Sequence, residues 1–132
     1  MKKLKYLSLE WTQAAAKHLR EKLTPEKMKH LTSSMLTVYT HCPDGKDWAL
    51  YYEIVDGVVE KVSLHDENIP PAEFTITGDY ETFAAISRAE LKARAALMSG
   101  KMSLKGNLVK ALRLAPVVDR LNEVLSTIPT EY

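Results

Sequence analysis

The chain has 132 residues, 45% of them apolar, and sets 18 basic against 17 acidic side chains for a net charge of +1. That length suits one globular domain and buries roughly two-thirds of the surface its unfolded form exposes, so a core forms without disulfides or a structural metal. The single cysteine, Cys42, excludes an internal disulfide and a cysteine-based zinc site, which points to a reducing compartment and a cytoplasmic address.

Uncharged stretches reach only about ten residues, well short of the roughly twenty that a membrane span needs. Met1-Lys2-Lys3-Leu4-Lys5 carries the charge of a signal peptide, but Ser8, Glu10 and Gln13 interrupt the apolar run that should follow. Residues 1–8 therefore read as a solvated N-terminal arm on a single domain spanning 1–132. Ser8 is placed to cap a first helix whose apolar positions Trp11, Ala15 and Leu19 fall four apart. Thr24-Pro25 supplies a second cap and a first-turn proline, predicting a short helix over Pro25 to Leu31.

The period then changes. Met35 to Cys42 and Asp47 to Val55 are aromatic and β-branched, with a Pro43-Asp44-Gly45-Lys46 turn between them. Asp56-Gly57 is a preferred two-residue type I′ loop, and Val58 to Leu64 follows as a third strand with Val58, Val62 and Leu64 on one face. His65 to Ala72 reads as loop. Phe74 and Ile76 alternate with polar residues in a fourth strand ended by Gly78, after which Asp79 is placed to cap a helix carrying Phe83, Ala84 and Ile86.

Arg88 to Ser99 is alanine-rich and predicts helix, closed by Gly100. Lys101 to Lys105 is a short fifth strand. Asn107 is placed to cap a helix with Leu108, Ala111 and Leu112 on one side, and Pro116 should kink it or begin a new one running to Ser126. The layout is α+β: a five-stranded, mostly antiparallel sheet covered on one face by helices.

The net charge of +1 conceals segregation. Residues 1–31 carry eight basic and three acidic side chains, residues 32–81 two and ten, residues 82–113 seven and one, and the remainder one and three. The basic run Arg88, Lys92, Arg94, Lys101, Lys105, Lys110, Arg113 contains no aromatic residue, which argues against single-stranded nucleic acid as a partner. The same charges suit a fatty acid carboxylate, the phosphates of coenzyme A, or transient contact with an anionic membrane surface.

Chemistry is sparse elsewhere. The four histidines are scattered, no phosphate-cradling glycine loop or nucleophile elbow occurs, and the neighbours His41 and Cys42 would point to opposite faces of a strand. No catalytic residue, metal or cofactor is expected, and the chain does not read as an enzyme. Beside the basic run, Leu91, Ala95, Leu97, Met98, Met102, Leu104, Leu108, Leu112 and Leu114 mix small, branched and flexible side chains. Such a set fills a core or lines an adaptable apolar cavity.

Thr75-Ile76-Thr77-Gly78-Asp79-Tyr80-Glu81-Thr82-Phe83, followed by Ala95-Ala96-Leu97-Met98-Ser99-Gly100-Lys101-Met102-Ser103-Leu104-Lys105-Gly106-Asn107, resembles the sterol carrier protein type 2 family. The order and spacing of these blocks carry the resemblance, which extends from about Trp11 to Leu125. It implies an apolar tunnel between sheet and helices that takes a fatty acid, fatty acyl-coenzyme A, phospholipid or sterol, either to transfer it or to present an acyl substrate to a partner enzyme.

Position by position, the resemblance implies a lining of Phe74, Ile76, Phe83, Ile86, Leu97, Met98, Met102, Leu104, Leu108, Leu112, Val117 and Leu121. The basic run beside them adds Lys101, Lys105, Lys110 and Arg113 as candidates for an anionic head group. Two departures from the family pattern, Ser87-Arg88 where glycine is usual and Pro116 in the terminal helix, bear on the shape of the tunnel and its mouth.

Overall fold

A computed structural model describes residues 3–132. Strand β1 (Leu4–Lys5) precedes helix α1 (Leu9–Lys22), and β2 (Ser33–Thr40), β3 (Trp48–Val55) and β4 (Val58–His65) follow as an antiparallel meander. Strand β5 (Phe74–Asp79) leads directly into α2 (Tyr80–Ser87). Helix α3 (Ala93–Met98), β6 (Met102–Lys105), α4 (Leu108–Ser126) and β7 (Thr130–Glu131) complete the chain.

The main sheet runs β4-β3-β2-β5-β6, mixed because β2 and β5 are parallel while the other neighbours are antiparallel. The helices pack on one face over a core that includes Trp11, Leu19, Leu50, Ile54, Phe83 and Val117. On the opposite face Leu36, Ala49 and Tyr51 form a small cluster with Val38 and Ala72. Among the described residues no helix is long and apolar enough to cross a membrane.

Local signals explain most boundaries. The Ser8 hydroxyl accepts the Trp11 N–H, and the Asn107 side chain accepts the Lys110 N–H. Asp56 and Gly57 both have positive φ, as a type I′ turn requires. Past α3, Gly100 at φ +81° lets the Lys101 N–H reach the Ala96 carbonyl while its own N–H bonds Leu97, the Schellman arrangement.

At Asp79 the carboxylate accepts the Thr82 N–H at 2.8 Å, and that bond holds its pKa below the usual aspartate value. A folded pKa below the unfolded one contributes stability that is present above the unfolded value and disappears as pH falls through the folded value. Asp79→Ala is therefore expected to cost about 1 kcal/mol at neutral pH. The gap from the parent protein should close below about pH 3.9; urea melts of both proteins across that range would check it.

Five sequence expectations are corrected. The described part of residues 1–8 is not a solvated arm: the Leu4 and Tyr6 N–H groups bond the Pro129 and Glu131 carbonyls in a parallel pairing with β7, and Tyr6 and Leu7 are buried. Residues 1–2 of that arm lie outside the described residues. Pro25 to Leu31 is a run of turns, because Lys29 and His30 take left-handed φ values that a helix does not accept. Those turns bury Met28 and deliver the Leu31 carbonyl to the Gly57 N–H at 2.7 Å.

Arg88 to Lys92 is likewise turn, reversed at Ala89 with φ 61°, so only Ala93–Met98 of the expected helix forms. Pro116 begins no new helix but lies inside one of 19 residues. Its missing N–H orphans the carbonyl of Leu112, and both residues are exposed, so water can satisfy that group without ending the helix. In β4 the register shifts opposite Glu53 and Ile54, which buries Val59 and leaves Val58 outside. Arg20 of α1 fastens the irregularity by donating to the Val59 and Glu60 carbonyls.

Candidate functional site

The side chains that α3 and α4 turn toward β5 and β6 do not fill the space between them. One cavity of about 70 Å³ is lined by Phe74 and Ile76 of β5, Met102 and Leu104 of β6, Leu97 of α3, and Ala111, Leu112, Leu114, Ala115 and Val118 of α4. A second, of about 60 Å³, continues toward α2 and the chain termini, lined by Tyr6, Tyr39, Tyr52, Phe83, Ile86, Leu121 and Leu125 among others. Met35, Ile76, Ala93, Met102 and Val118 line both. They form the partition.

Sequence accounts for this local looseness. Ala93, Ala111 and Ala115 leave the helix side of the seam short of volume, and the two methionines of the partition are flexible side chains that repack at little cost. The first cavity is almost wholly apolar, with the charged side chains of Arg94 and Asp119 on its wall. The second carries hydroxyls. Tyr6 and Tyr39 face each other with their oxygens 3.5 Å apart, and burial pushes both phenols well above the usual tyrosine range.

Tyr132 packs beside the second cavity, on two residues, Tyr6 and Ser87, that line it. Tyr132 donates to the Ser87 hydroxyl at 2.6 Å, its ring stands 4.9 Å from that of Tyr6, and the Arg88 guanidinium lies 5.0 Å above it.

The expected lining residues are placed as follows. Phe74, Ile76, Leu97, Met102, Leu104 and Leu112 line the first cavity, and Ile76, Phe83, Ile86, Met102 and Leu121 line the second. Val117 is buried but borders neither, whereas Met98 and Leu108 are exposed on the outside. Residues that sequence reasoning missed include Met35, Ala93, Arg94 and Val118. Met35 stands beside Phe74 in the parallel register, a pairing between strands 39 positions apart that no local pattern announces.

Arg94 had a readable signal. It lies three residues before Leu97 on α3, and that spacing puts both on one helix face.

Of the expected head-group residues, none lines either cavity. The Lys110 ammonium donates to Glu73 at 2.6 Å and lies 5.9 Å from the Phe74 ring centre. That bond, with a second from the Ser33 hydroxyl, holds the Glu73 carboxyl below its usual range. Lys101, Lys105 and Arg113 are exposed and make no ion pair among the described residues.

The only cysteine is not poised for attack. The Cys42 thiol donates to the Tyr39 carbonyl at 3.5 Å, and burial pushes its pKa up, away from the thiolate. His41 instead meets the Thr40 hydroxyl. No group of three or more histidine, cysteine or acidic side chains suited to a metal ion occurs among the described residues.

Residues 12–119 match the SCP-2 sterol transfer family. Among characterised proteins, the chain is 27% identical over 101 residues to the non-specific lipid-transfer protein-like 1 of Caenorhabditis elegans, covering 76% of this chain and 84% of that one. Among solved structures, it superposes on the crystal structure of a sterol carrier protein 2 with a TM-score of 0.82 at 20% identity, covering 94% of this chain and 99% of that one. It also superposes on a conserved hypothetical protein from Thermus thermophilus with a TM-score of 0.81 at 20% identity, covering 99% and 94%.

Proposed function

The chain belongs to the SCP-2 sterol transfer family, and from that premise we propose that it binds a lipid in the seam between sheet and helices and passes it on. The observation that carries this reading is the pair of adjoining cavities divided only by a partition with two methionines. Pockets that bury a small ligand measure roughly 300–1,000 Å³, so the lipid enters as α3 and α4 yield and Met35 and Met102 change rotamer. Each methylene buried contributes about 0.8 kcal/mol. A long chain thereby offsets the cost of opening the seam.

The proposed occupant is a fatty acid or fatty acyl group. Its chain lies against Phe74, Ile76, Leu97, Met102 and Leu104, and its anionic head stays at the Arg94 side, where Lys101, Lys105 and Arg113 add positive potential. Neutral lipids with a hydroxyl group, such as a sterol, would lack a partner for that charge. Titration of the delipidated protein with a fluorescent fatty acid tests the reading. Saturable binding at micromolar ligand, displaced by unlabelled fatty acid, is the expected result; no saturable binding would overturn it.

A further inference from the structure

The two cavities differ in what their walls offer a ligand. Among the described residues no charged side chain lines the second, but Tyr6, Thr37, Tyr39, Tyr52, Ser87 and Asn122 put hydroxyl and amide groups on it. A buried polar group is ordinarily paired, because an unpaired one forfeits the bonds it made to water. Here several are not.

Tyr52 is only 6% exposed, and its hydroxyl makes no hydrogen bond among the described residues. The side chains of Thr37 and Asn122 make none either. Among those residues the one fully enclosed side-chain polar atom that lacks a partner is Nδ1 of His18, so the Tyr52 oxygen is not sealed in by its neighbours. The open space beside it is the cavity it lines. Tyr6 and Tyr39 add a further donor, since their 3.5 Å contact is long for two hydroxyls and uses one proton of the two. Burial raises all three phenols well above the usual tyrosine range, which keeps them neutral donors at neutral pH.

A plain hydrocarbon tail in this space would leave those groups dry and unpaired, and an anionic head would find no cation on the wall. We propose that the second cavity recognises a neutral oxygen function, so that the acyl ligand carries a hydroxyl or oxo group well beyond its carboxylate. The inference rests on the lipid-binding reading above and adds the class of acyl chain. With its head at the Arg94 side, the chain runs through the first cavity and past Met35 and Met102, and its oxygen settles among Thr37, Tyr39 and Tyr52. A ligand hydroxyl accepts from one phenol and donates to another oxygen; an oxo group accepts only.

This reverses the usual order of affinities. In an apolar cavity an added hydroxyl weakens binding, because it leaves water without a partner. A site with hydrogen-bonding groups disfavours the analogue that lacks the hydroxyl, because its own polar groups then stay unpaired. Displacement of a fluorescent fatty acid by stearic acid, and by hydroxystearic acids with the hydroxyl at mid-chain or at the chain end, is measured for the parent protein, Tyr52→Phe and Tyr39→Phe. Thermal melts of the three report folding.

The expected result is that a hydroxystearic acid binds the parent about tenfold tighter than stearic acid, with the advantage lost in Tyr52→Phe and reduced in Tyr39→Phe. Hydroxystearic acids that bind the parent no tighter than stearic acid, or an advantage that survives in both folded variants, would overturn the proposal and leave fatty acid binding in place. No saturable binding of any of these acids would overturn the lipid-binding reading and this inference with it.

Discussion

Ala111→Phe is expected to weaken fatty acid binding at least tenfold while the protein stays folded. Ala111 is half-buried on α4 and forms part of the first cavity wall, so the added ring has about 70 Å³ of space to enter. Overpacking a filled core costs about 1–3 kcal/mol, but here the ring takes space that exists and the thermal midpoint should change little. The ligand loses that space instead. A tenfold loss corresponds to about 1.4 kcal/mol, less than the contribution of two buried methylenes.

Titration and thermal melts of the same preparation check the pair of expectations. Unchanged affinity in a folded Ala111→Phe protein would place the ligand outside this seam. A matching substitution in the partition, Met102→Phe, should act on both cavities and serves as the second measurement.

Trp11→Ala is expected to have the largest effect on stability, about 3–5 kcal/mol out of the roughly 5–15 kcal/mol that holds a domain folded. Trp11 is fully buried, its ring meets that of Tyr6 edge-on at 4.9 Å, and its indole N–H donates to the Thr130 hydroxyl at 3.2 Å. One side chain thus ties α1 to both chain ends, and of the residues it meets Tyr6 lines the second cavity.

Truncation leaves a void too large for its neighbours to fill and removes the clasp at the same time. The thermal midpoint should fall on the order of 10 °C. A fall of a degree or two would show that the termini contribute little to the fold.

Short-range physics was enough to read much of this architecture from the chain. The helix caps at Ser8, Asp79 and Asn107, the Asp56-Gly57 turn and the glycine after α3 depend on residues within a few positions of one another. Patterning along the chain therefore reports them. Four of the five corrected expectations have a long-range cause or a solvent cause. Lys29 and His30 leave helical geometry where the loop delivers Leu31 to Gly57, and Arg20 holds the β4 irregularity from another element. The N-terminal residues are tied to β7 by a pairing across more than 120 positions, and Pro116 stays in the helix because the Leu112 carbonyl it orphans belongs to an exposed residue that water can reach.

The candidate site divides along the same line. Alternation in the last strands and helices was sufficient to mark Phe74, Ile76, Met102 and Leu104 as inward-facing, since a period of two or 3.6 decides which face a side chain occupies. Periodicity describes a face and not the fit between two faces. Only the packing of α3 and α4 against the sheet decided that Ala93, Ala111 and Ala115 leave unfilled space, that Met35 divides it, and that Met98 and Leu108 turn outward. The segregation of charge belongs to the sequence outright. Which of those cations remain unpaired follows from the tertiary structure, because Lys110 meets Glu73 37 positions away while Lys101, Lys105 and Arg113 make no ion pair among the described residues.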